Sequence, residues 1–529
     1  MGAMRTMVVL LVFFGLCLGP AGLAQEPPIW VSTDRLAEHR LSGESVLRAE
    51  DRSTPVPWIG VEVTVDESGA VVETRPSLES ERSPRDPELS PAAQAAARSW
   101  RFRPFERGGR PVRARGVIAF SVLPTERLPT RHIPFPEVRR EEVVITLTRT
   151  ACFGPCPAYR LTIHGDGRVR LQARAGALIE GDHDYRIPVE RVDALIARFR
   201  AADFWSLEPR YEAPITDQAS ATLTFAAGAN EMTVMDYAGL MVGMPAVVRE
   251  LQIAADEAAD SGRWITGNER TLAALDAVGF DYRGPRAAEM LIEAIGRAPD
   301  SLVLALIDRG VPLDAPAPSC AGGCPPGGSL RERALYLALE KGRVAIFDRL
   351  DTDSTFAGFS QGERDLMLQR AARTLSPHLV RRMLARGARA TARDPRDGTP
   401  LMQVLGDSYR LLRAPDADQE AVFRLLLVPE LDLEARDGID FTVLQHAENE
   451  DPNFARMLIA AGANVNAHAA TSLPILYYTQ DEIALIALAA GADRTLRNGD
   501  GHSLPEMARR MRWPRVEALL AREGNPPGR

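Results

Sequence analysis

Lysine is almost absent from this chain of 529 residues, because Lys341 is the one lysine among 63 basic residues. The phosphate-binding pattern G-x-x-x-x-G-K-[ST] is missing, and so are the catalytic patterns H-E-x-x-H and G-x-S-x-G. The eight histidines include no pair at i and i+4, so they indicate no metal site on a helix. We therefore predict that the protein is not an enzyme, and that it needs no cofactor and no metal.

The chain also lacks a net positive charge and long apolar segments. Its formal net charge of −8 excludes an overall basic protein that coats nucleic acid. After residue 25 no run of about 18 apolar residues occurs, so we expect no integral membrane span in the mature chain. Apolar residues make up 45% of the chain and charged residues 25%, which is typical of globular proteins. The length then predicts several domains.

The N-terminus has the three parts of a secretory signal. A short basic start precedes a 12-residue apolar run at 7–18, and the small residues Gly22 and Ala24 follow. We predict that residues 1–24 are a signal peptide, cleaved after about Ala24, and that the mature protein is periplasmic. An uncleaved anchor is one alternative. Lipidation of Cys17 is another, although Leu16 stands where a small residue is preferred.

The four cysteines beyond the leader form two C-x-x-x-C pairs. They are Cys152 with Cys156 and Cys320 with Cys324. In an oxidising compartment an even number of closely spaced cysteines indicates disulfides, although four cysteines allow three connectivities. Two local bridges are the simplest of these. A metal or redox site and free thiols are the alternatives, but neither pair has a supporting histidine or further cysteine nearby.

Residues 25–130 predict a small α+β domain. Alternating apolar residues at 59–65 and 70–74 flank a turn and indicate a β-hairpin. Ser90, as the predicted N-cap, and Pro91, in the first turn, then begin an alanine-rich helix at 92–100, and residues 112–122 indicate a third strand.

Three motifs in this segment carry a family resemblance. They are V-x-V-D-x-x-G-x-V at 63–71, W-R-F-x-P at 100–104 and G-G-R-P-V at 108–112. From Gly60 to Leu123 the sequence resembles the C-terminal domain of TonB, the periplasmic energy transducer. The resemblance implies an exposed strand edge that pairs with a peptide. The histidine and the long Pro/Lys spacer of TonB are absent, and a domain that only supports its neighbours is the alternative.

Residues 131–265 predict a second α+β domain. A proline-rich linker at 128–136 precedes strands predicted at 142–148, 159–163 and 168–173, and helices are predicted at 189–201 and 246–259. The string C-F-G-P-C-P-x-Y, the G-D-G turn, F-W-x-L and Thr216-Asp217 make the segment up to Trp264 similar to an uncharacterised domain of bacterial exported proteins. Asp217 and His164 are the polar residues that a site would use, but in turns such residues more often cap or face solvent.

Short apolar helices that end at a turn recur in residues 266–529 with a period near 33 residues. Gly310, Gly387, Gly462 and Gly491 end clear copies, and D-G-T-P-L at 397–401 is close to the start of an ankyrin repeat. The segment therefore resembles an ankyrin array, which implies about six to eight stacked helix pairs. Another kind of helical solenoid is the alternative.

The predicted fold class is thus multi-domain, with two small α+β domains followed by an all-α ankyrin-repeat solenoid. The leading hypothesis is a non-enzymatic scaffold protein of the bacterial cell envelope that binds other proteins and no nucleic acid. A TonB-like accessory role in energy transduction or receptor-linked transport is one alternative, and a redox or metal-binding role of the CxxxC domain is another. The candidate protein-binding residues at the tips of the ankyrin fingers are Arg393, Asp394, Arg436, Asp437, His468, Arg497 and Asn498.

Overall fold

The computed structural model covers most of the chain. The predicted leader with Cys17 and the pair Cys320 and Cys324 lie outside the residues that it describes. The described residues are 28–31, 33–49, 58–77, 89–107, 109–154, 156–318, 328–394, 396, 398–405, 418–448, 450–468, 474–477, 481–498, 500–511 and 513–524.

The first α+β unit is built around a sheet in which the long strand β9 is central. In the described residues the order is β1-β9-β4-β5. The strand β3 also pairs with β9 in parallel, nearer the C-terminal end of β9 than β1 does. Alternate residues of β4 point into a core that includes Phe102 and Phe120. The elements of this unit are β1 (Ile29–Trp30), α1 (Thr33–His39), β2 (Arg40–Ser42), β3 (Val46–Ala49), β4 (Trp58–Val65), β5 (Val71–Pro76), α2 (Ser90–Arg98), β6 (Arg101–Phe102), β7 (Phe105–Arg107), β8 (Arg110–Val112) and β9 (Ala114–Pro124).

The start of α2 differs from the expectation in one detail. The sequence predicts Ser90 as the N-cap, but Leu89 takes that position and Ser90 is already helical. The Ser90 hydroxyl accepts a hydrogen bond from Gln94 Nε2 (3.3 Å), one turn further along the helix. Pro91 occupies the first turn, where its missing N–H has no acceptor to lose.

The second α+β unit contains a seven-stranded sheet among the described residues. Its order is β13-β12-β11-β10-β15-β16-β14, and antiparallel pairing prevails except between β14 and β16. Alternate residues of β15 are buried, and α4 contacts β10. The elements are β10 (Val143–Arg149), β11 (Tyr159–His164), β12 (Arg168–Ala173), β13 (Gly181–Arg186), α3 (Val189–Ala201), β14 (Arg210–Glu212), β15 (Ser220–Ala227), β16 (Asn230–Tyr237) and α4 (Ala246–Ala259).

The proline-rich segment before this sheet is packed onto the unit that follows it. The Phe135 ring lies against Trp205 and Phe225, with centroid separations of 5.2 and 5.3 Å. The Ile133 N–H donates to Ser206 Oγ at 2.7 Å. The segment predicted as a linker is therefore held in place by aromatic packing and by a hydrogen bond.

The remainder of the chain is rich in helices, as the sequence predicts. In the described residues no helix is long and apolar enough to cross a membrane. The helices are α5 (Gly262–Ile265), α6 (Thr271–Ala277), α7 (Pro285–Arg297), α8 (Asp300–Asp308), α9 (Leu330–Glu340), α10 (Val344–Leu350), α11 (Asp353–Ala357), α12 (Gln361–Arg373), α13 (Pro377–Ala385), α14 (Gln419–Leu426), α15 (Val443–His446), α16 (Pro452–Ala460), α17 (Asp481–Ala489), α18 (Leu504–Arg510) and α19 (Pro514–Gly524).

These helices are arranged in pairs that lie side by side. The pairs α7/α8, α9/α10, α12/α13, α15/α16 and α18/α19 each have internal contacts. Their first members contact one another in the row α7, α9, α12, and contacts along the other row join α8 with α10, α16 with α17, and α17 with α19. The helices α8, α10, α13, α14, α16, α17 and α19 begin at 300, 344, 377, 419, 452, 481 and 514, and three of the six intervals equal 33 residues. The three intervals of 33 residues agree with the period near 33 in the sequence, and the other three are 44, 42 and 29 residues.

Candidate functional site

Three turns between helices share one construction. They run from Asp394 to Gly398, from Asp437 to Phe441 and from 498 to 502. In each, the N–H of the first residue donates to the carbonyl of the fifth, over 2.9, 3.1 and 3.0 Å. The first residue is Asp or Asn, and its side-chain oxygen accepts the N–H two residues later. Such turns suit Asp and Asn because a short side chain can replace a backbone acceptor.

The candidates Asp394, Asp437 and Asn498 therefore stabilise turns. Asp437 Oδ1 accepts from the N–H groups of Ile439 (3.0 Å) and Phe441 (2.9 Å). Asn498 Oδ1 accepts in the same way from residues 500 and 502. All three are half-buried. Their side chains are used within the turns, so their main contribution to the surface is the fixed shape of each turn.

The arginine candidates donate hydrogen bonds to backbone carbonyls in or near these turns. Arg393 Nη2 donates to the Arg436 carbonyl (3.4 Å), and Arg436 Nη2 donates to the His468 carbonyl (3.1 Å). Arg497 donates to the carbonyl of Gly501 in its own turn (2.8 Å). Arg393, His468 and Arg497 are exposed, whereas Arg436 is half-buried. The structure thus places Arg393, Arg436 and His468 in one row along successive turns.

A histidine contacts the second of these turns. His446 Nε2 lies 2.8 Å from Asp437 Oδ2, and both side chains are largely buried. Burial by itself opposes ionisation of Asp437. The contacts with His446 and the Phe441 N–H outweigh it and lower the pKa of Asp437 below its ordinary value of 3.8. The pair therefore fixes the turn beneath its exposed tip.

That tip is Ile439, which the sequence reasoning missed. Its side chain is 64% exposed between Gly438 and Asp440. An apolar residue between the turn residues Gly438 and Asp440 was the available signal. An exposed aliphatic group at the end of a fixed turn is suited to contact with a partner protein.

The cysteine pair of the second unit is joined in the structure. Cys152 and Cys156 form a disulfide across the loop between β10 and β11, with a Cα–Cα distance of 5.5 Å. This is the local pairing among the connectivities that the sequence allows. Phe153 within the loop is 91% exposed, and its N–H donates to the carbonyl of Asp217 (3.1 Å). The loop thus presents an aromatic ring to solvent.

A partly buried polar network lies at the base of this loop. Arg149 Nε donates to Tyr159 Oη (2.8 Å), and Tyr159 Oη donates to the Asp256 carboxylate (2.8 Å). Arg149 Nη2 also contacts Asp256 at 3.2 Å, and Ser261 Oγ donates to the same carboxylate at 2.6 Å. Burial and the negative charge of Asp256 raise the pKa of Tyr159. No short sequence pattern indicates this network, because its carboxylate is about a hundred residues away from its arginine.

The two polar residues singled out in this unit do not come together. His164 ends β11 opposite Val144 at the start of β10, whereas Asp217 lies beside the disulfide loop after the end of β10. Asp217 adopts a left-handed backbone conformation with φ of 67°, and its carboxylate accepts from Thr216. In the part of the chain that the structure describes, no three histidine, cysteine or acidic side chains gather as a metal-binding group.

One segment of the chain is similar to a known family. Residues 143–259 match a family described as a domain of unknown function (DUF6438). No curated protein matches the chain. The matched segment runs from β10 to α4 and contains the disulfide, Phe153 and Asp256. The likeness covers about a fifth of the chain.

Proposed function

We propose that this protein is a non-enzymatic scaffold of the bacterial cell envelope, and that it binds other proteins through ankyrin-type helix pairs in residues 266–529. The N-terminal segment 1–24 would direct its export. The main support is the repeated Asp/Asn turn between paired helices, which recurs with the same hydrogen bonds at 394, 437 and 498. Repeated turns on a stack of helix pairs form an extended surface, which suits recognition of a protein.

The side chains that this surface offers are a mixture of arginine and aliphatic groups. Arg393 and Ile439 are exposed on neighbouring turns, and Arg393 contacts the carbonyl of residue 436 in the Ile439 turn. Arginine and buried apolar groups supply much of the binding energy in protein interfaces. The backbone is already fixed by turn hydrogen bonds, so little ordering entropy opposes binding.

The test compares two matched double variants of the full-length protein. Arg393→Ala with Ile439→Ser removes the surface groups of the turns. Arg283→Ala with Val278→Ser removes an exposed arginine and an aliphatic group that is 66% exposed near the start of the helical part. After cross-linking in envelope extract, we expect the turn variant to recover specific partners at least fivefold less than wild type, and the control variant to match wild type. Equal recovery with both variants would contradict the proposal.

A second candidate function concerns the first sheet. In the described residues β5 pairs with β4 alone, so its other edge has no neighbouring strand. An unpaired edge can accept a peptide strand through main-chain hydrogen bonds. We propose this as the site of a TonB-like accessory role. Slower hydrogen exchange at 72–74 on addition of an extended outer-membrane receptor peptide would support it, and unchanged exchange would argue against it.

A further inference from the structure

We infer that the Cys152–Cys156 disulfide is redox-sensitive and that, when oxidised, it restricts the conformation of the loop that presents Phe153. Its reduction releases this loop and leaves the sheet below it folded. The inference is independent of the scaffold function proposed for the helical part. The inference has three requirements. Opening the bridge must affect only the loop, a thiol must be able to reach the two sulfurs, and the bridge must hold a contact of the loop in place.

The influence of the bridge is local because the strands that it connects are already paired. β10 and β11 are in register from Val144 opposite His164 to Arg149 opposite Tyr159, immediately before the loop. The bridge closes a ring of only five residues, and short rings restrict the unfolded chain least. The described loop residues are half-buried or exposed, and none belongs to the hydrophobic core. Opening the ring therefore leaves the packing of the sheet intact.

The polar network provides a second reason for the strand ends to stay together. Arg149 at the end of β10 and Tyr159 at the start of β11 contact each other and share the carboxylate of Asp256 on α4. These bonds involve charged groups, which makes them stronger than neutral hydrogen bonds. They join the two strands and the helix from below, so the strand ends do not depend on the disulfide.

The bridge does restrict the loop above the network. The Phe153 N–H donates to the carbonyl of Asp217, and the Gly154 N–H donates to the carbonyl of Cys152 at 2.9 Å. The Phe153 ring is 91% exposed, so it has little packing that could hold it in place. In a ring of five residues the backbone is confined to the conformation that makes these bonds. When the ring opens, both bonds lose that restraint and the direction of the aromatic ring changes.

The chemistry needs only a dithiol as reductant. Both cysteines are half-buried and lie in a loop outside the hydrophobic core, where a small thiolate can approach the bridge. The thiolate attacks one sulfur, the S–S bond breaks, and a mixed disulfide forms while the other protein sulfur leaves as a thiolate and takes up a proton. The second thiol of the dithiol then displaces the remaining protein sulfur. The dithiol is oxidised by two electrons to a disulfide, and Cys152 and Cys156 become free thiols.

The test uses the full chain with graded dithiothreitol, followed by alkylation and mass mapping of each cysteine. Hydrogen exchange is measured in the oxidised and reduced forms. We expect Cys152 and Cys156 to be reduced in the folded protein, with exchange at least fivefold faster in peptides covering 151–157 and 215–219. Exchange in 143–148 and 160–164 should not change.

Two double variants separate this effect from others. Cys152→Ser with Cys156→Ser should reproduce the faster loop exchange without any reductant. Cys320→Ser with Cys324→Ser should leave the loop response to dithiothreitol as in wild type. A bridge that is reduced only when the sheet unfolds, or a loop whose exchange is the same in both redox states, would overturn the inference.

Discussion

The two sheet units differ in how they are connected to the rest of the molecule. The first has a hydrophobic core of its own, which extends from Ile29 to Phe120. The core of the second is continuous with that of the helical part and reaches from Val143 to Val516. The first unit contacts the second through polar groups, since Glu126 accepts from Arg48 on β3 and from the N–H at the start of α4. The stability of the first sheet unit thus depends mainly on its own core, whereas that of the second also depends on the helices that share its core.

The junction between the second sheet and the helices shows how the core continues. The N–H groups of Leu178 and Ile179 donate to the carbonyls of residues 265 and 264, both at 2.9 Å. The His183 ring stacks on Trp264 with a centroid separation of 3.9 Å. The matched family segment ends at residue 259, but the packing of its residues does not end there.

The largest expected effect comes from a cavity in the first core, and it tests whether the two cores unfold independently. Phe120 is fully buried in the first core, and its ring lies 5.3 Å from that of Trp100. We expect Phe120→Ala to lower the free energy of unfolding of the first unit by about 3–5 kcal/mol, because it removes contacts and leaves a cavity. Hydrogen exchange should accelerate in residues 58–76 and stay unchanged in β10 and in the helices. Faster exchange in all three parts would show that the first core is not independent.

The second prediction addresses the shared core through a matched pair of glycines. Gly267 and Gly279 both have positive φ, at 86° and 68°. A Cβ at Gly267 would lie 2.7 Å from Leu302 Cδ2 and 2.8 Å from Leu178 Cδ2, whereas no described atom lies within 4 Å of one at Gly279. Both changes to alanine incur backbone strain of about 1–2 kcal/mol, and Gly267→Ala adds about 1–3 kcal/mol of overpacking.

The measurement is urea unfolding with two probes, one in the second sheet and one in the helices. We expect Gly267→Ala to shift both transitions together and by more than Gly279→Ala. A shift confined to one of the two probes would mean that the sheet and the helices unfold separately despite their continuous core.

The sequence predicts those elements whose residue pattern is local. The hairpin β4–β5, the start of α2 near Pro91 and the strands β11 and β12 follow from period-2 alternation and turn residues, and the structure confirms them. The strand β13, with the sequence GDHDYR, has no apolar alternation and exists through its pairing with β12. The short strands β1 and β3 are likewise defined by a distant partner, β9.

The candidate sites, like the strands, could be predicted only where the signal lies within a few residues. Cysteine spacing pointed to the disulfide, and glycines such as Gly387 and Gly462 pointed to the turns that end helices, because both signals lie within a few residues. Asp256 and Ser261 belong to the network beneath the disulfide, but no spacing rule connects them with Arg149. Contacts between residues about a hundred positions apart depend on the tertiary fold, which no short pattern encodes.

The smallest expected effect concerns that network within the shared core. We expect Tyr159→Phe to lower the free energy of unfolding at neutral pH by about 1 kcal/mol, because Arg149 still contacts Asp256 directly and Ser261 still donates to it. Since the pKa of Tyr159 is raised in the folded protein, the phenol of the unfolded chain ionises first, near its ordinary value of 10.0. The stability that its hydroxyl contributes is therefore complete below about pH 10 and decreases as the pH rises above it.

Urea unfolding of wild type and Tyr159→Phe between pH 8 and pH 11 tests this predicted pH dependence of stability. We expect the difference between the two proteins to shrink above about pH 10, because the variant lacks the group whose ionisation favours the unfolded chain. Tyr282→Phe is the control in the helical part, where a less buried phenol donates to Asp276 at 2.9 Å and its pKa is raised to about 12. Its effect at neutral pH should be smaller, because solvent can replace the lost hydrogen bond. A difference between wild type and Tyr159→Phe that stays constant across this pH range would show that Tyr159 does not remain protonated in the folded state.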